Sequence, residues 1–128
     1  RRFILIRGYA LLKTDTVTAI IRAMKKVAGE YLPPLLDALA EHYGLSYKRV
    51  KITGSKGRWG SCSAAGSINL SCYLMLLPSH LMDYVLLHEL SHTKEMNHGP
   101  RFWELLDSMT EGRAHLLRAE LRQFNTDF

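Results

Sequence analysis

Residues 88–92 read HELSH, and this HExxH motif determines how the rest of the chain is interpreted. It lies in a strongly apolar segment that starts after Pro78 and has the composition of a buried helix. Residues four apart lie on one helix face, so His88 and His92 can bind the same metal ion. Glu89 is turned by about 100° from His88, within reach of a water at the metal without being a ligand. The motif therefore predicts His88 and His92 as metal ligands and Glu89 as a catalytic general base.

A catalytic zinc has three protein ligands and one open position for water. We expect His98 as the third ligand, because a turn near Asn97 would let the chain fold back toward the helix. Glu95 is disfavoured, since a continuing helix would carry it off the face of the two histidines. The alternatives for this ligand are two carboxylates and two histidines: Glu104, Glu111, His80 and His115. Three imidazoles suit zinc, and they also suit nickel or copper.

The histidine spacing equals that of HExxHxxGxxH in the metzincins, a class of zinc peptidases. Glu95 occupies the position of their glycine, and no later segment has the pattern of their Met-turn. We therefore reject membership of that class. A pair of buried histidines without a metal is also disfavoured, because burying polar groups without compensation is costly.

Three short strands are predicted before the motif, at residues 50–53, 58–63 and 67–72. Tight turns at 55–56 and 65–66 would make them an antiparallel meander packed on helices. Alternation then puts an apolar set on one face: Val50, Ile52, Trp59, Ile68 and Leu70. The opposite face would carry a mostly polar set: Lys51, Thr53, Arg58, Gly60, Cys62 and Asn69. In this register Cys62 opposes Asn69 and not Cys72, which predicts two free thiols.

Helices are predicted on both sides of this region. Helical spacing of apolar residues starts at Thr16, and Pro33-Pro34 should end or kink that helix before a second one that Gly44 stops. After the motif, a break at 97–100 precedes a helix to Met109, and a last helix runs to about residue 124. Residues 3–6 predict a further strand. The expected fold class is α+β.

Composition and length bound the remaining possibilities. A chain of 128 residues suits a single domain over 1–128, and two cysteines are too few for a disulfide scaffold. No apolar run approaches the ~20 residues of a membrane span, so we expect no membrane partner. The net charge of +5 fits a solvated surface and also an anionic partner such as a nucleotide or nucleic acid. Because the sequence begins Arg1-Arg2 rather than with Met, we expect it to be a fragment of a longer protein. The two cysteines are expected to be reduced, which favours a cytoplasmic location.

Four segments together resemble the YgjP-like metallopeptidase domain, a group of small zincins similar in their core to SprT-like and WLM proteases. The segments are RWGSCS at 58–63, DYV at 83–85, the HELSH motif, and NHGPRFW at 97–103. The resemblance covers residues 45–110 closely and 16–44 loosely. It implies a zincin-like, minigluzincin-like core with a short antiparallel sheet above the motif helix, and His98 as third ligand. It also implies a longer N-terminal β region than this chain has.

We therefore expect a zinc-dependent metallohydrolase that acts on a peptide or protein, with Glu89 as general base. Candidate substrate-binding residues are Arg58, Gly60 and Arg101, the last as a possible oxyanion stabiliser. One alternative is a metal-dependent nucleotide phosphohydrolase that uses Lys51, Lys56 and Arg58. The other is a non-enzymatic, metal-stapled module that binds DNA or protein.

Overall fold

The computed structural model describes residues 14–124, and the fold within them is α+β, as predicted. The strand predicted at residues 3–6 lies outside the described residues. The elements in chain order are α1 (Thr14–Tyr43), β1 (Arg49–Thr53), β2 (Gly60–Cys62), β3 (Ser67–Ser71), a 3-10 helix (Cys72–Leu76), α2 (Ser79–Ser91), α3 (Pro100–Met109) and α4 (Ala114–Leu121).

Helix α1 continues through Pro33 and Pro34, so the prediction of two separate N-terminal helices is wrong. Each proline lacks the N–H that would bond to the carbonyl four residues earlier, at Gly29 and Glu30. Both of these residues are exposed, so water can satisfy their carbonyls. The opposite side of the helix is held by core residues such as Leu32, which is fully buried. Packing on one side and water on the other therefore compensate for the missing hydrogen bonds.

The three strands form one sheet in the order β1-β3-β2, and β1 runs parallel to β3. The predicted meander is therefore wrong for its first turn, because residues 54–59 carry the chain to the far side of β3. Ser71 holds this connection at both ends. Its Oγ donates to the Ser55 carbonyl at 2.7 Å, and its N–H donates to the Trp59 carbonyl at 2.9 Å.

The antiparallel pairing of β2 with β3 is shifted by one residue from the prediction. Cys62 pairs with Ile68 rather than with Asn69. The cause is a three-residue loop, 64–66, in which Gly66 has φ +90°, where two residues were expected. A shift of one residue turns the side chains of a strand to the other face. Gly60 and Cys62 therefore share the face of Ile68 and Leu70, not the polar face.

The apolar face of β1 and β3 is as predicted, since Val50 pairs with Ile68 and Ile52 pairs with Leu70. Trp59 falls outside that alternation, because it precedes β2 by one residue, but it is partly buried against the core.

Helix α2 lies at the centre of the domain and contacts the sheet and all three other α-helices. It begins at Ser79, as predicted, and its apolar side chains are buried on nearly every side. Three polar side chains at its C-terminal end are buried as well: Glu89, Ser91 and His92. The HELSH motif thus stands inside the core, at the end of the most buried helix. Within residues 14–124, no helix is both long enough and apolar enough to cross a membrane.

Candidate metal centre

Three histidines converge at the C-terminal end of α2. His88 lies in the last turn of the helix, His92 directly follows it, and His98 lies on the loop before α3. One ring nitrogen from each can be chosen so that all three lie within 4.8 Å of one another. The Nε2 atoms of His92 and His98 are 3.0 Å apart. The structure thus brings together the three residues that the sequence predicted as metal ligands.

Hydrogen bonds set the orientation of two of these rings. The Nδ1 of His92 donates to the backbone carbonyl of Glu95 at 3.0 Å, because a carbonyl can only accept. The Nδ1 of His88 lies 3.2 Å from Oε2 of Glu89, whose carboxylate accepts the bond. Both bonds leave the Nε2 lone pair free, which is the arrangement of metal-binding histidines with an outer hydrogen-bond acceptor.

Phe102 forms the base of the site. It is fully buried in α3, and its ring centroid lies 5.0 Å from that of His88, 4.5 Å from His92 and 4.7 Å from His98. It stacks on the His92 ring with an interplanar angle of 28°. One aromatic side chain therefore supports all three imidazoles. The sequence indicated Phe102 as an apolar helix residue and as part of the NHGPRFW segment, and no local pattern could have shown these contacts.

Desolvation of the His98 ring by this packing lowers its pKa, and the neighbouring His88 and His92 lower it further. Since the ordinary value is 6.5, His98 is neutral at neutral pH and its lone pair can bind a metal. Three imidazole donors, two of them oriented by outer acceptors, fit a divalent metal ion.

Glu89 is 5% exposed and lies directly beneath β2. A Cβ at Gly60 would stand 3.1 Å from Glu89 Cγ, 3.3 Å from its Oε2 and 3.1 Å from the Asn69 carbonyl. Only glycine allows the strand to approach the carboxylate this closely. The shifted register of β2 is what brings Gly60, rather than Ser61, over Glu89. Gly60 was predicted only as a substrate-binding residue. The structure shows that it also allows β2 to pack closely against Glu89.

Two cavities flank the three histidines. The larger, of about 480 Å³, is called the cleft below. It is lined by Trp59, Gly60, Tyr84, Val85, His88, Glu89, Arg118, Leu121, Arg122 and Phe124. The smaller, of about 300 Å³, is lined by His88, His98, Trp103, His115 and Arg118. Together they leave open space on both sides of His88.

The other candidate substrate-binding residues do not line the cleft, although the cavity that Arg58 lines shares Gly60 with it. Arg58 is exposed and lines a separate cavity with Ser61 and Asn69. Arg101 is exposed in the first turn of α3 and lines neither cavity beside the histidines. The cations beside the histidines are instead Arg118 and Arg122 of the α4 region. Sequence reasoning missed both, because nothing local connects α4 to the motif.

The alternative third ligands do not join the cluster. His80 is paired with Glu120 at 2.8 Å, and His115 packs on the Trp103 ring at a centroid distance of 4.1 Å. Glu104 and Glu111 are both exposed.

Both cysteines are free thiols, as predicted. Cys62 faces the same side of the sheet as Gly60. Burial, followed by the charge of Glu89, raises the pKa of the Cys62 thiol to about 11 from 9.0. Burial also raises the pKa of Cys72. Since the thiolate is the reactive form, both thiols are expected to be unreactive near neutral pH.

At about pH 8, alkylation of Cys62 by iodoacetamide is expected to be about 100-fold slower than for an unperturbed thiol, because two pKa units reduce the thiolate fraction by that factor. The rate should rise with pH up to about 11. Mass spectrometry of each cysteine peptide measures it, with the urea-unfolded chain as the control. Labelling of Cys62 at the unfolded rate, or a Cys62–Cys72 bridge in non-reduced protein, would contradict this expectation.

Comparisons with known proteins give a matching family and two similar folds. The family model of the YgjP-like metallopeptidase domain matches residues 6–124. The crystal structure of the metallopeptidase zymogen abylysin from Pyrococcus abyssi is similar, with a TM-score of 0.63 and 25% identity over 74% of this chain and 98% of that chain. The zymogen jannalysin from Methanocaldococcus jannaschii has the same fold, with a TM-score of 0.60 and 21% identity over 71% and 93% of the two chains.

A search of curated proteins found no match. The family match spans all of the described residues and includes the three histidines, Glu89 and Gly60. It confirms the resemblance predicted from the RWGSCS, HELSH and NHGPRFW segments. This chain belongs to the YgjP-like metallopeptidase domain family.

Proposed function

We propose that this domain is a zinc peptidase in which His88, His92 and His98 hold the metal and Glu89 is the general base. One observation carries the proposal: three imidazoles converge beside a buried carboxylate at the edge of an open cleft. A purely structural metal site would not require a carboxylate that is near the metal without binding it. The position of Glu89 therefore favours a catalytic role over a metal-stapled binding module.

Zinc in such a site supplies Lewis acidity, which polarises the scissile carbonyl and lowers the pKa of water toward ~7. The chain supplies the proton transfers. Glu89 accepts a proton from the attacking water and passes it to the leaving amine. Its carboxylate is held by the hydrogen bond from His88 and by Gly60 above it, so the base is oriented before substrate binds. Phe102 closes the site from below.

Strand β2 provides a place for an extended peptide. Among the described residues it is one of the two edge strands of the sheet and pairs only with β3. Gly60 lies both on this strand and in the lining of the cleft. Extended peptides commonly bind by adding a strand to such an edge. A peptide along β2 would thus pass beside Glu89.

We favour zinc among the divalent metals because three protein nitrogens and an open position are typical of catalytic zinc sites. Nickel and copper accept the same donors and have to be compared directly. Two free thiols support a reducing, cytoplasmic location. One catalytic domain over the chain is consistent with a single core around α2.

The deciding experiment compares two substrate classes on one preparation. We expect the purified chain to contain about one zinc ion per molecule and to cleave unfolded casein. A chelator should abolish cleavage, and added zinc should restore it. A panel of nucleoside triphosphates should remain intact. Turnover of a nucleotide without peptide cleavage would instead favour the phosphohydrolase, and metal binding without either activity would favour the binding module.

A further inference from the structure

Arg118 lies where it can contact a ligand bound beside the three histidines. It and His88 are the two residues that line both cavities beside the histidines. Its guanidinium carbon lies 5.8 Å from the centroid of the Trp103 ring, over which it can be held by a cation–π contact. Within residues 14–124, no carboxylate forms an ion pair with it. Arg118 is exposed and has no protein counter-ion among the described residues, so its guanidinium is available to an anionic ligand.

Tyr84 provides a second, independent indication of a ligand. The residue is 2% exposed and lines the same cleft, one helical turn before His88. Its hydroxyl is buried and has no hydrogen-bond partner in the part of the chain that the structure describes. Buried hydroxyls are nearly always paired, so an unpaired one needs an explanation. A hydrogen-bond acceptor on the bound substrate would provide the missing partner and explain the unpaired hydroxyl.

The charges of the cleft indicate what that acceptor is. Its lining carries two guanidinium groups, Arg118 and Arg122, and a single carboxylate, that of Glu89. A tyrosine hydroxyl keeps its proton at neutral pH, so that of Tyr84 can donate a hydrogen bond. A planar arginine fork and a nearby hydroxyl donor match a carboxylate.

We propose that Arg118 and Tyr84 form a subsite for a carboxylate of the peptide substrate, and so give the enzyme a preference for peptides that carry one next to the cleaved bond. The carboxylate comes either from a free C-terminus or from an acidic side chain. This inference rests on the proposed peptidase function. It adds to that function a substrate class and two specificity-determining residues outside the metal cluster.

The test measures binding separately from turnover. The probes are a neutral hexapeptide with a free C-terminal carboxylate, the same peptide amidated, and amidated versions with one internal aspartate or asparagine. Calorimetric titration into the zinc-loaded Glu89→Gln variant gives the affinities. We expect at least one carboxylate peptide to bind about 10-fold or more tightly than its neutral match, as for hydrogen bonds to a charged group. Whichever pair shows the difference identifies the source of the carboxylate.

Three substitutions, each added to the Glu89→Gln variant, identify the residues that cause the preference for carboxylate peptides. Arg118→Gln should remove it, and Tyr84→Phe should reduce it several-fold. Tyr84→Phe also deletes an unpaired buried hydroxyl, so its melting temperature should be unchanged or higher, which separates a binding role from a folding role. Arg22→Gln is the matched control, because Arg22 is exposed on α1 and lines none of these cavities.

The results separate this inference from the peptidase function. Equal affinity for carboxylate and neutral peptides would overturn the inference, even if casein is cleaved. A carboxylate preference lost equally in Arg22→Gln and Arg118→Gln would overturn it too. Tighter binding of a nucleoside triphosphate than of every peptide would overturn it in favour of a phosphate subsite. A carboxylate preference that depends on Arg118 supports it, even if cleavage of casein fails.

Discussion

Glu89→Gln is expected to fold, keep its metal and lose hydrolytic activity by ~10²–10⁴-fold, the usual contribution of a general acid–base residue. Glutamine has the same size, so it fits beneath Gly60, where the space around Glu89 is tight. Its amide oxygen can still accept the hydrogen bond from His88. It loses the negative charge and with it the ability to accept a proton from water. The effect should therefore fall on kcat rather than on metal content.

Metal content, melting temperature and turnover have to be measured on the same preparations. The matched control is Glu30→Gln, which removes a carboxylate from the exposed side of α1 and should leave turnover unchanged. A Glu89→Gln enzyme as active as the parent would remove this carboxylate from the mechanism. Loss of the metal in this variant would mean that Glu89 is structural, and the binding-module interpretation would then gain support.

His98→Ala is expected to weaken metal binding by more than the 10–100-fold that is typical for loss of an outer hydrogen-bonding partner, because it removes a direct ligand. Activity should fall with the metal. His98 is exposed at the surface of the site, so truncation should leave the fold intact. Competition with a chelator of known affinity measures the change, and circular dichroism checks the fold.

His42→Ala is the control for this variant, since His42 is an exposed histidine at the end of α1. It should keep the parental metal affinity. If His98→Ala also keeps it, His98 is not the third ligand. The other histidine that lines the flanking cavity is His115, and His115→Ala would then be the variant that loses the metal.

The sequence by itself determined the local parts of this site. Helical periodicity and the spacing of HELSH were sufficient to place His88 and Glu89 on a buried helix, because both depend on neighbours within one or two turns. His98 follows His92 closely enough that a single turn brings it back, so its position beside the other two histidines could also be predicted. The apolar faces of β1 and β3 were predicted for the same reason, since alternation is a local property.

Tertiary structure decided everything that depends on distant contacts. The parallel pairing of β1 with β3 and the continuity of α1 through Pro33-Pro34 follow from packing against the core, which no local pattern contains. One extra loop residue before Gly66 shifted β2 and turned Gly60 toward Glu89. Phe102 beneath the imidazoles and Arg118 beside them come from α3 and α4, and only the folded chain brings these helices to the end of α2. The HELSH motif consists of consecutive residues, so the sequence alone reveals it. The cleft that would select the substrate forms only where β2, α2 and the α4 region meet in the folded chain.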